Sequence, residues 1–297
     1  MILVTGATGT VGREVVRRLP ADLHIRIMAR DPERVAGAAP SAQTVVGDLG
    51  DRESLDRALD GVTTALLVTS SVGAGDDARF VRAANSAGVQ RLVKLSAAAV
   101  LDRQAEDLIT RWQRGNEELL CNSGLEWTLL RPRAFMSNTL SWAESIRSEH
   151  VVRGLHGTSA NACVDPRDIA DVAVRVLTED GHAGKAYTLT GPEAITAVEQ
   201  TERLGRLLGM SLRFEELSQD EARLALDRRY PAPIVEALLE SAERQRAGAK
   251  AEVEDTVQAV TGRPSGNFRA WAEDHLTAFV DRHGRRDAAA APSGPGQ

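Results

Sequence analysis

The first 130 residues alternate short β-branched runs with segments whose apolar residues recur every three or four positions. Short β-branched runs are typical of buried strands, and apolar residues every three or four positions are typical of amphipathic helices. The pattern predicts strands at residues 2–5, 24–29, 44–46, 64–69, 91–96 and 126–130. It predicts intervening helices at 11–19, 51–59, 76–87 and 105–120. Because strands separated by helices form right-handed βαβ units, we expect a doubly wound parallel sheet with helices on both faces.

The pattern loosens after Pro132, where residues 133–165 mix aromatic and polar positions without a clear period. A helix is predicted at 165–177 and a further strand at 186–189. From residue 196 the chain is mostly helical, apart from a strand-like run at 211–215.

These changes of pattern predict two domains and a tail. The α/β domain is expected over residues 1–190, with 133–165 as an excursion towards the substrate side. A smaller, mostly helical lid is expected over 191–283. Residues 284–297 are rich in Ala, Pro and Gly, which predicts a flexible tail.

Composition narrows the class of protein. Of 297 residues, 42% are apolar and 26% charged, which is typical of a folded globular protein. The net charge of −6 disfavours nucleic-acid binding, because phosphate contacts need clustered positive charge. No apolar run approaches the ~18 residues that span a bilayer, and no basic segment precedes the first strand as in a secretory signal. With only Cys121 and Cys163 no disulfide framework is available, so we expect a cytoplasmic protein.

The motif that carries the most information lies between the first predicted strand and the first helix. Residues 5–12 read TGATGTVG, with glycines at 6, 9 and 12. Gly6 permits a tight turn, Gly9 lets the backbone approach a pyrophosphate, and Gly12 allows close packing of helix and strand. The helix N-terminus supplies free N–H groups to the phosphates. Strand, glycine loop and helix together predict a Rossmann dinucleotide site that also includes Thr8, Thr10 and Val11.

The residue after the second strand decides between NAD and NADP. An acid there holds the ribose 2′-hydroxyl, whereas an arginine accommodates a 2′-phosphate. Arg30 occupies this position and favours NADP(H). The alternative is that Arg30 stacks on adenine while Asp31 binds the ribose, which leaves NAD(H) open. Two further loops fit the same cofactor, and they contain Asp48 with Leu49 and Thr69 with Ser70.

Several stretches resemble the NmrA-like branch of the atypical short-chain dehydrogenases, which includes bacterial NAD(P)H:quinone reductases. The matching segments run from residue 1 to about 280 and are TGATGTVG at 5–12, ARDPER at 29–34, GDLGD at 47–51, LLVTSS at 66–71, AANSAGVQRLVKLS at 83–96, NSGLEWTLLRPRAFMSN at 122–138, DPRDIADVA at 165–173, GKAYTLTGPEAIT at 184–196 and TGRPSGNFRAWAEDH at 261–275. The resemblance implies dinucleotide contacts from the glycine loop, Arg30, Asp48, Thr69 and Ser70. It also implies that Phe135, Met136 and Asn138 face the nicotinamide or the substrate.

The sequence departs from the usual chemistry of short-chain dehydrogenases, which rests on a Tyr-x-x-x-Lys pair on one helix face. Neither Tyr187 nor Tyr230 has a lysine four residues later, and the helix expected to carry the pair reads WQRGNE at 112–117. We expect water, or a hydrogen bond from Ser96 or Asn138, to take the place of the pair. No histidine or cysteine spacing fits a metal site, so none is expected.

The missing acid points to the kind of acceptor. A simple ketone yields a basic alkoxide on reduction, whereas a quinone yields a delocalised anion that needs little acid catalysis. We therefore expect an NAD(P)H-dependent reductase of a quinone or a related polycyclic aromatic ketone in bacterial secondary metabolism. Phe135, Met136, Trp142 and His156 are candidate substrate contacts. A non-catalytic NAD(P)-sensing regulator is the main alternative, and an epimerase or dehydratase is another. The oligomeric state stays open.

Overall fold

Parallel strands form the centre of the computed structural model, which describes residues 1–37 and 41–280. In chain order the strands are β1 (Ile2–Val4), β2 (Ile25–Ala29), β3 (Gln43–Val46), β4 (Thr64–Leu67), β5 (Arg91–Leu95), β6 (Glu126–Pro132), β7 (Val151–Gly154), β8 (Lys185–Leu189) and β9 (Arg213–Glu216). The main sheet has the order β3-β2-β1-β4-β5-β6-β8, and β7 pairs with β9 in a separate sheet. The strand order reverses between β1 and β4. A ligand crevice is therefore expected at the carboxyl ends of these two strands.

Helices connect the strands and fill the C-terminal region. In chain order they are α1 (Thr10–Arg18), α2 (Arg52–Leu59), α3 (Asp76–Ser86), α4 (Leu108–Cys121), α5 (Ala143–Glu149), α6 (Pro166–Thr178), α7 (Ala197–Leu208), α8 (Gln219–Asp227), α9 (Ala232–Arg246), α10 (Thr256–Thr261) and α11 (Phe268–His275). Short 3₁₀ turns lie at Pro32–Val35, Ala98–Leu101, Met136–Trp142 and Leu276–Ala278. In the described part of the chain, no helix has the length and apolarity needed to cross a membrane.

Two apolar cores lie on opposite faces of the sheet. Successive residues of a strand point to opposite faces, so Val4 packs with α1 and α6 while Leu3 packs with α2 and α3. Val15 and Val172 represent the first core, and Phe80 represents the second. All five side chains are fully buried. The doubly wound Rossmann sheet expected from the sequence is confirmed.

Two elements of the structure are shorter than the sequence predicts. The helix expected at 105–120 begins only at Leu108, because the Asp107 carboxylate accepts a 3.0 Å hydrogen bond from the Thr110 amide and caps the helix there. The strand expected at 64–69 ends at Leu67. The excursion at 133–165 contains α5 and β7, which the irregular pattern did not predict.

The excursion and the C-terminal helices share a third apolar core. It joins Met136 and Ile146 of the excursion to Leu204, Phe268 and Trp271 of the C-terminal helices. Helix α10 packs instead on α6 and β8, against the first core. The predicted domain boundaries at 190 and 283 stay predictions, and the tail at 284–297 lies outside the described residues.

Candidate dinucleotide and acceptor site

A cleft of about 710 Å³ opens at the carboxyl ends of β1 and β4, at the reversal of strand order. The structure brings to this cleft every residue that the sequence predicted for the cofactor. They are Gly6, Thr8, Gly9, Thr10, Val11, Gly12, Arg30, Asp48, Leu49, Thr69 and Ser70. Ser96, Gln113 and Phe135 also line it. The first set comes from four different strand ends, so the fold assembles one elongated groove from separate loops.

The glycine loop has the geometry that a dinucleotide pyrophosphate requires. Gly6 has a φ of +65°, and a Cβ there would lie 2.8 Å from the Cβ of Val68. A Cβ on Gly12 would lie 2.3 Å from the Gly6 carbonyl oxygen, so the helix could not approach the strand. Gly9 is the N-cap of α1, and no side chain caps that helix. The first N–H groups of α1 are therefore free for phosphate oxygens. The residues present fit a dinucleotide.

Arg30 and Asp31 have different roles. Arg30 is exposed and lines the cleft, and its guanidinium has no hydrogen bond or ion pair with any residue that the structure describes. Asp31 caps the following 3₁₀ turn, because its Oδ1 accepts from the Glu33 amide at 3.1 Å. The arginine thus stays available in the cleft, whereas one oxygen of the neighbouring carboxylate caps a turn.

Asp48 shapes its own turn as well as the cleft. Its Oδ1 accepts a 2.7 Å hydrogen bond from the Gly50 amide, and its backbone N–H donates to Ser54 Oγ at 3.0 Å. These bonds hold the loop after β3 in place. Asp48 itself is exposed, so its second carboxylate oxygen stays open to a ligand.

A buried ion pair beneath the cleft positions Thr69, and sequence reasoning missed it. Lys94 of β5 and Asp77 of α3 pair directly, and their side chains are 1% and 2% exposed. Thr69 Oγ1 donates to Asp77 Oδ2 at 2.9 Å and accepts from Lys94 Nζ at 3.3 Å. A lysine within the apolar strand Arg91–Leu95 is the signal that could have revealed the pair, because a buried charge needs a partner.

In the structure the Ser96 hydroxyl is directed at a carboxylate of α4. Ser96 lines the cleft, but its hydroxyl donates to Glu117 Oε1 at 2.6 Å. Glu117 is fixed in turn by Arg131, through bonds of 2.9 Å and 2.6 Å to its two carboxylate oxygens. A serine has one hydroxyl proton. Ser96 therefore offers the cleft an acceptor rather than a donor.

Of the other predicted substrate contacts, only Phe135 reaches the cleft. Met136 is 1% exposed and packs in the third core, with its side chain beneath Gly191. Trp142 packs against the same core, and Asn138 is exposed but does not line the cleft. His156 Nε2 lies 2.9 Å from Glu243 Oε1 on α9. The structure therefore does not support substrate roles for these four residues in this cleft. Apolar and polar residues alternate too irregularly over residues 133–165 for the sequence to show which side chains are buried and which are exposed.

A buried amide that the sequence did not single out completes the cleft. Gln113 of α4 is 8% exposed, and its Oε1 is enclosed without a hydrogen-bond partner. Four residues further along the same helix face lies Glu117, which holds Ser96. The cleft end beyond Thr69 is thus formed by an aromatic ring, a serine acceptor and an amide.

A family model described as NAD(P)H-binding matches residues 6–180 of the chain. This range includes the three glycines of the loop and the residues that line the cleft from Gly6 to Phe135. The chain belongs to this family, as an NmrA-like atypical short-chain dehydrogenase/reductase. The family's cofactor chemistry agrees with the geometry of the cleft, and the protein is an NAD(P)H-dependent oxidoreductase.

Curated relatives of this reductase span almost all of its length. A (4-alkanoyl-5-oxo-2,5-dihydrofuran-3-yl)methyl phosphate reductase of Streptomyces griseus subsp. griseus is 57% identical, over 94% of this chain and 99% of the relative. An NAD(P)H azoreductase of Xenophilus azovorans is 35% identical over the same shares of the two chains. Among solved structures, the quinone oxidoreductase QOR2 of Escherichia coli complexed with NADPH superposes with a TM-score of 0.81. It is 28% identical, over 93% of this chain and all of that chain.

This reductase has no tyrosine in its cleft. Tyr187 lies on β8, where its hydroxyl is 2.7 Å from His182 Nδ1, and it does not line the cleft. Burial raises the pKa of the Tyr187 hydroxyl above its ordinary value, which makes it a weaker acid. Tyr230, the other tyrosine of the chain, is exposed and also lies away from the cleft.

Proposed function

We propose that this reductase transfers a hydride from NADPH to a conjugated, electron-poor carbon–carbon double bond, and that it acts without an acidic side chain. The observation that carries the proposal is the composition of the acceptor end of the cleft. Phe135, Ser96 and Gln113 line it, and none of them is an acid. The acceptor must therefore stabilise the negative charge that hydride addition creates.

An acylated unsaturated lactone satisfies this condition. NADPH would supply the hydride, which forms a new C–H bond at the alkene carbon that is not attached to the carbonyls. The π electrons of the double bond move onto the flanking acyl and lactone carbonyl oxygens, and water then protonates the carbon between them. The double bond is reduced and the nicotinamide oxidised. Because two carbonyls share the charge, little general acid catalysis is required, as for a quinone.

Two observations favour a phosphorylated lactone as the acceptor. The 57% identical relative is named for the reduction of such a phosphate. Arg133 lies two residues before Phe135 but does not itself line the cleft, and its partly buried guanidinium has an Nε that is enclosed without a hydrogen-bond partner. Burial lowers the pKa of Arg133, and the carboxylates of Glu252, Glu254 and Asp102 oppose that shift. An unpaired guanidinium suits a phosphate. We place the reaction in bacterial secondary metabolism, in the cytoplasm.

The experiment that tests the function follows NADPH oxidation at the nicotinamide absorbance with matched acceptors. We expect rapid turnover of an acylated butenolide phosphate, slower turnover of quinones, and little turnover of saturated ketones. Polycyclic aromatic ketones would test the broader prediction from the sequence. Tyr187→Phe is expected to leave these rates unchanged. If none of these acceptors led to oxidation of NADPH, the proposal would be rejected, and a non-catalytic protein that senses the cofactor would be favoured.

The choice of cofactor rests on Arg30. If Arg30 binds the 2′-phosphate, Arg30→Ala should weaken NADPH binding by roughly 1.5–3 kcal/mol, the contribution of a charged hydrogen bond. NADH affinity should hardly change, because NADH has no 2′-phosphate. Titrations of both cofactors against the variant measure the difference. Equal losses would indicate adenine stacking, and a natural preference for NADH would reject the NADP assignment.

The role of Arg133 predicts a substrate-dependent defect. Arg133→Gln should raise the KM for a phosphorylated acceptor roughly tenfold or more, since a charged hydrogen bond contributes roughly 1.5–3 kcal/mol. The KM for an uncharged quinone should stay the same. Arg111→Gln, an exposed arginine of α4, is the control for the loss of one positive charge. Equal changes with both acceptors would contradict phosphate recognition by Arg133.

A further inference from the structure

We infer that Gln113 hydrogen-bonds the carbonyl oxygen of the acceptor and stabilises the charge that forms there. The inference rests on the proposed function, since it assigns a residue to the acceptor of that reaction. Gln113 would act as a neutral donor through its side-chain amide N–H.

The amide of Gln113 is unsatisfied in the cleft. The residue is 8% exposed, its Oε1 is enclosed without a partner, and within the described residues Nε2 makes no hydrogen bond. Buried polar groups in proteins are almost always hydrogen-bonded, because an unpaired one loses its hydration without compensation. No protein neighbour fixes which amide atom faces the cleft, so the N–H can turn towards a ligand.

Helix α4 places the Gln113 amide beyond the carboxyl ends of the strands, beside the cleft. Glu117 lies at the end of β5, where it accepts from the Ser96 hydroxyl. Gln113 is four residues nearer the N-terminus of α4, about 6 Å further along the helix axis at 1.5 Å per residue. In a βαβ unit that direction leads beyond the carboxyl ends of the strands, into the cleft. Asp107 caps the helix and pairs with Arg244 at 2.6 Å, which fixes this end of α4.

A neutral amide suits the proposed chemistry. Hydride addition makes a carbonyl oxygen negative, and a donor aimed at that oxygen lowers the barrier most where the charge is least delocalised. An amide donates a hydrogen bond but gives up no proton, which agrees with a reaction that takes its proton from water. Ser96 cannot replace it, because the serine proton is held by Glu117.

The test compares two substitutions at Gln113 with one control. Gln113→Met keeps the size of the side chain and removes both polar atoms, and Gln113→Glu places a negative charge beside the developing anion. Glu118→Gln alters an exposed residue on the same helix. We expect Gln113→Met to lower kcat for an acylated lactone by roughly 10²-fold, as for loss of one oxyanion donor. Gln113→Glu should lower it further, and Glu118→Gln should have no effect.

Three readouts separate this role from a structural one. NADPH affinity and the melting temperature of Gln113→Met should match those of the parent enzyme. The loss should be larger for a singly activated enone than for a quinone, whose anion is more delocalised. Parent-like rates for Gln113→Met would overturn the inference while leaving the proposed function intact. Weaker NADPH binding with an unchanged acceptor KM would also overturn it. Failure of the parent enzyme itself on all acceptors would reject the proposed function.

Discussion

Replacing Gly9 with valine should lower the affinity for NADPH by roughly 10²-fold or more, as expected when two or more charge-assisted hydrogen bonds are lost. Gly9 has φ −84° and ψ 178°, an extended conformation that valine adopts readily. Its added Cβ would lie 3.2 Å from the Gly6 carbonyl oxygen, a tight contact that a small shift of the loop must relieve. The rest of the side chain would fill the space of the pyrophosphate. Fluorescence titration with NADPH measures the effect.

A second glycine supplies the contrast. Gly12→Ala places a Cβ 2.3 Å from the Gly6 oxygen, against 3.2 Å at Gly9, so we expect the melting temperature to fall more for Gly12→Ala than for Gly9→Val. Gly115, which has nothing within 4 Å of an added Cβ, is the neutral control. Parent-like NADPH affinity in a folded Gly9→Val variant would contradict the assignment of this loop to the phosphates.

Lys94→Met is expected to lower the free energy of unfolding by about 3–5 kcal/mol, because it leaves the Asp77 carboxylate buried and unpaired. Lys185→Met removes an exposed lysine and should change stability little. Urea unfolding of the two variants measures the difference. A loss below about 1 kcal/mol would show that Asp77 is hydrated or protonated in the native state.

The same ion pair connects stability to the cofactor site. In the double variant Lys94→Met with Asp77→Leu no charge is left unpaired, so much of the stability should return. Thr69 would still lack its anchor at 2.9 Å, and NADPH binding should stay weaker than in the parent enzyme. Full recovery of both the free energy of unfolding and the NADPH affinity would mean that the position of Thr69 does not depend on the Lys94–Asp77 ion pair.

The parts of the site that follow from local sequence were predictable. The glycine loop occupies the residues between one strand and one helix, and Arg30 lies directly after the second strand, so their places follow from chain order alone. Gln113 could not be found in this way. Its significance depends on burial and on a missing partner, which arise only when α4 packs beside the cleft.

The predicted substrate contacts that lie outside the cleft share a physical feature. Met136, Trp142 and His156 lie in a segment whose periodicity does not reveal which side chains are buried, and long-range packing decides their positions. Ser96 does line the cleft, but its hydroxyl donates a hydrogen bond to Glu117, which is distant in sequence. Hydrogen-bond partners across 21 residues are not visible in a pattern read along one chain.

Deuterium transfer from cofactor to acceptor tests the central claim most directly. NADPH carrying deuterium at the transferred position would be incubated with the enzyme and an acylated butenolide phosphate, and the product analysed by NMR. The account predicts one deuterium at the former alkene carbon that is not attached to the carbonyls, and a solvent-derived hydrogen at the carbon between the two carbonyls. Deuterium on a former carbonyl carbon, giving an alcohol, would contradict it, because that reaction produces a basic alkoxide and none of Phe135, Ser96 and Gln113 at the acceptor end of the cleft is an acid.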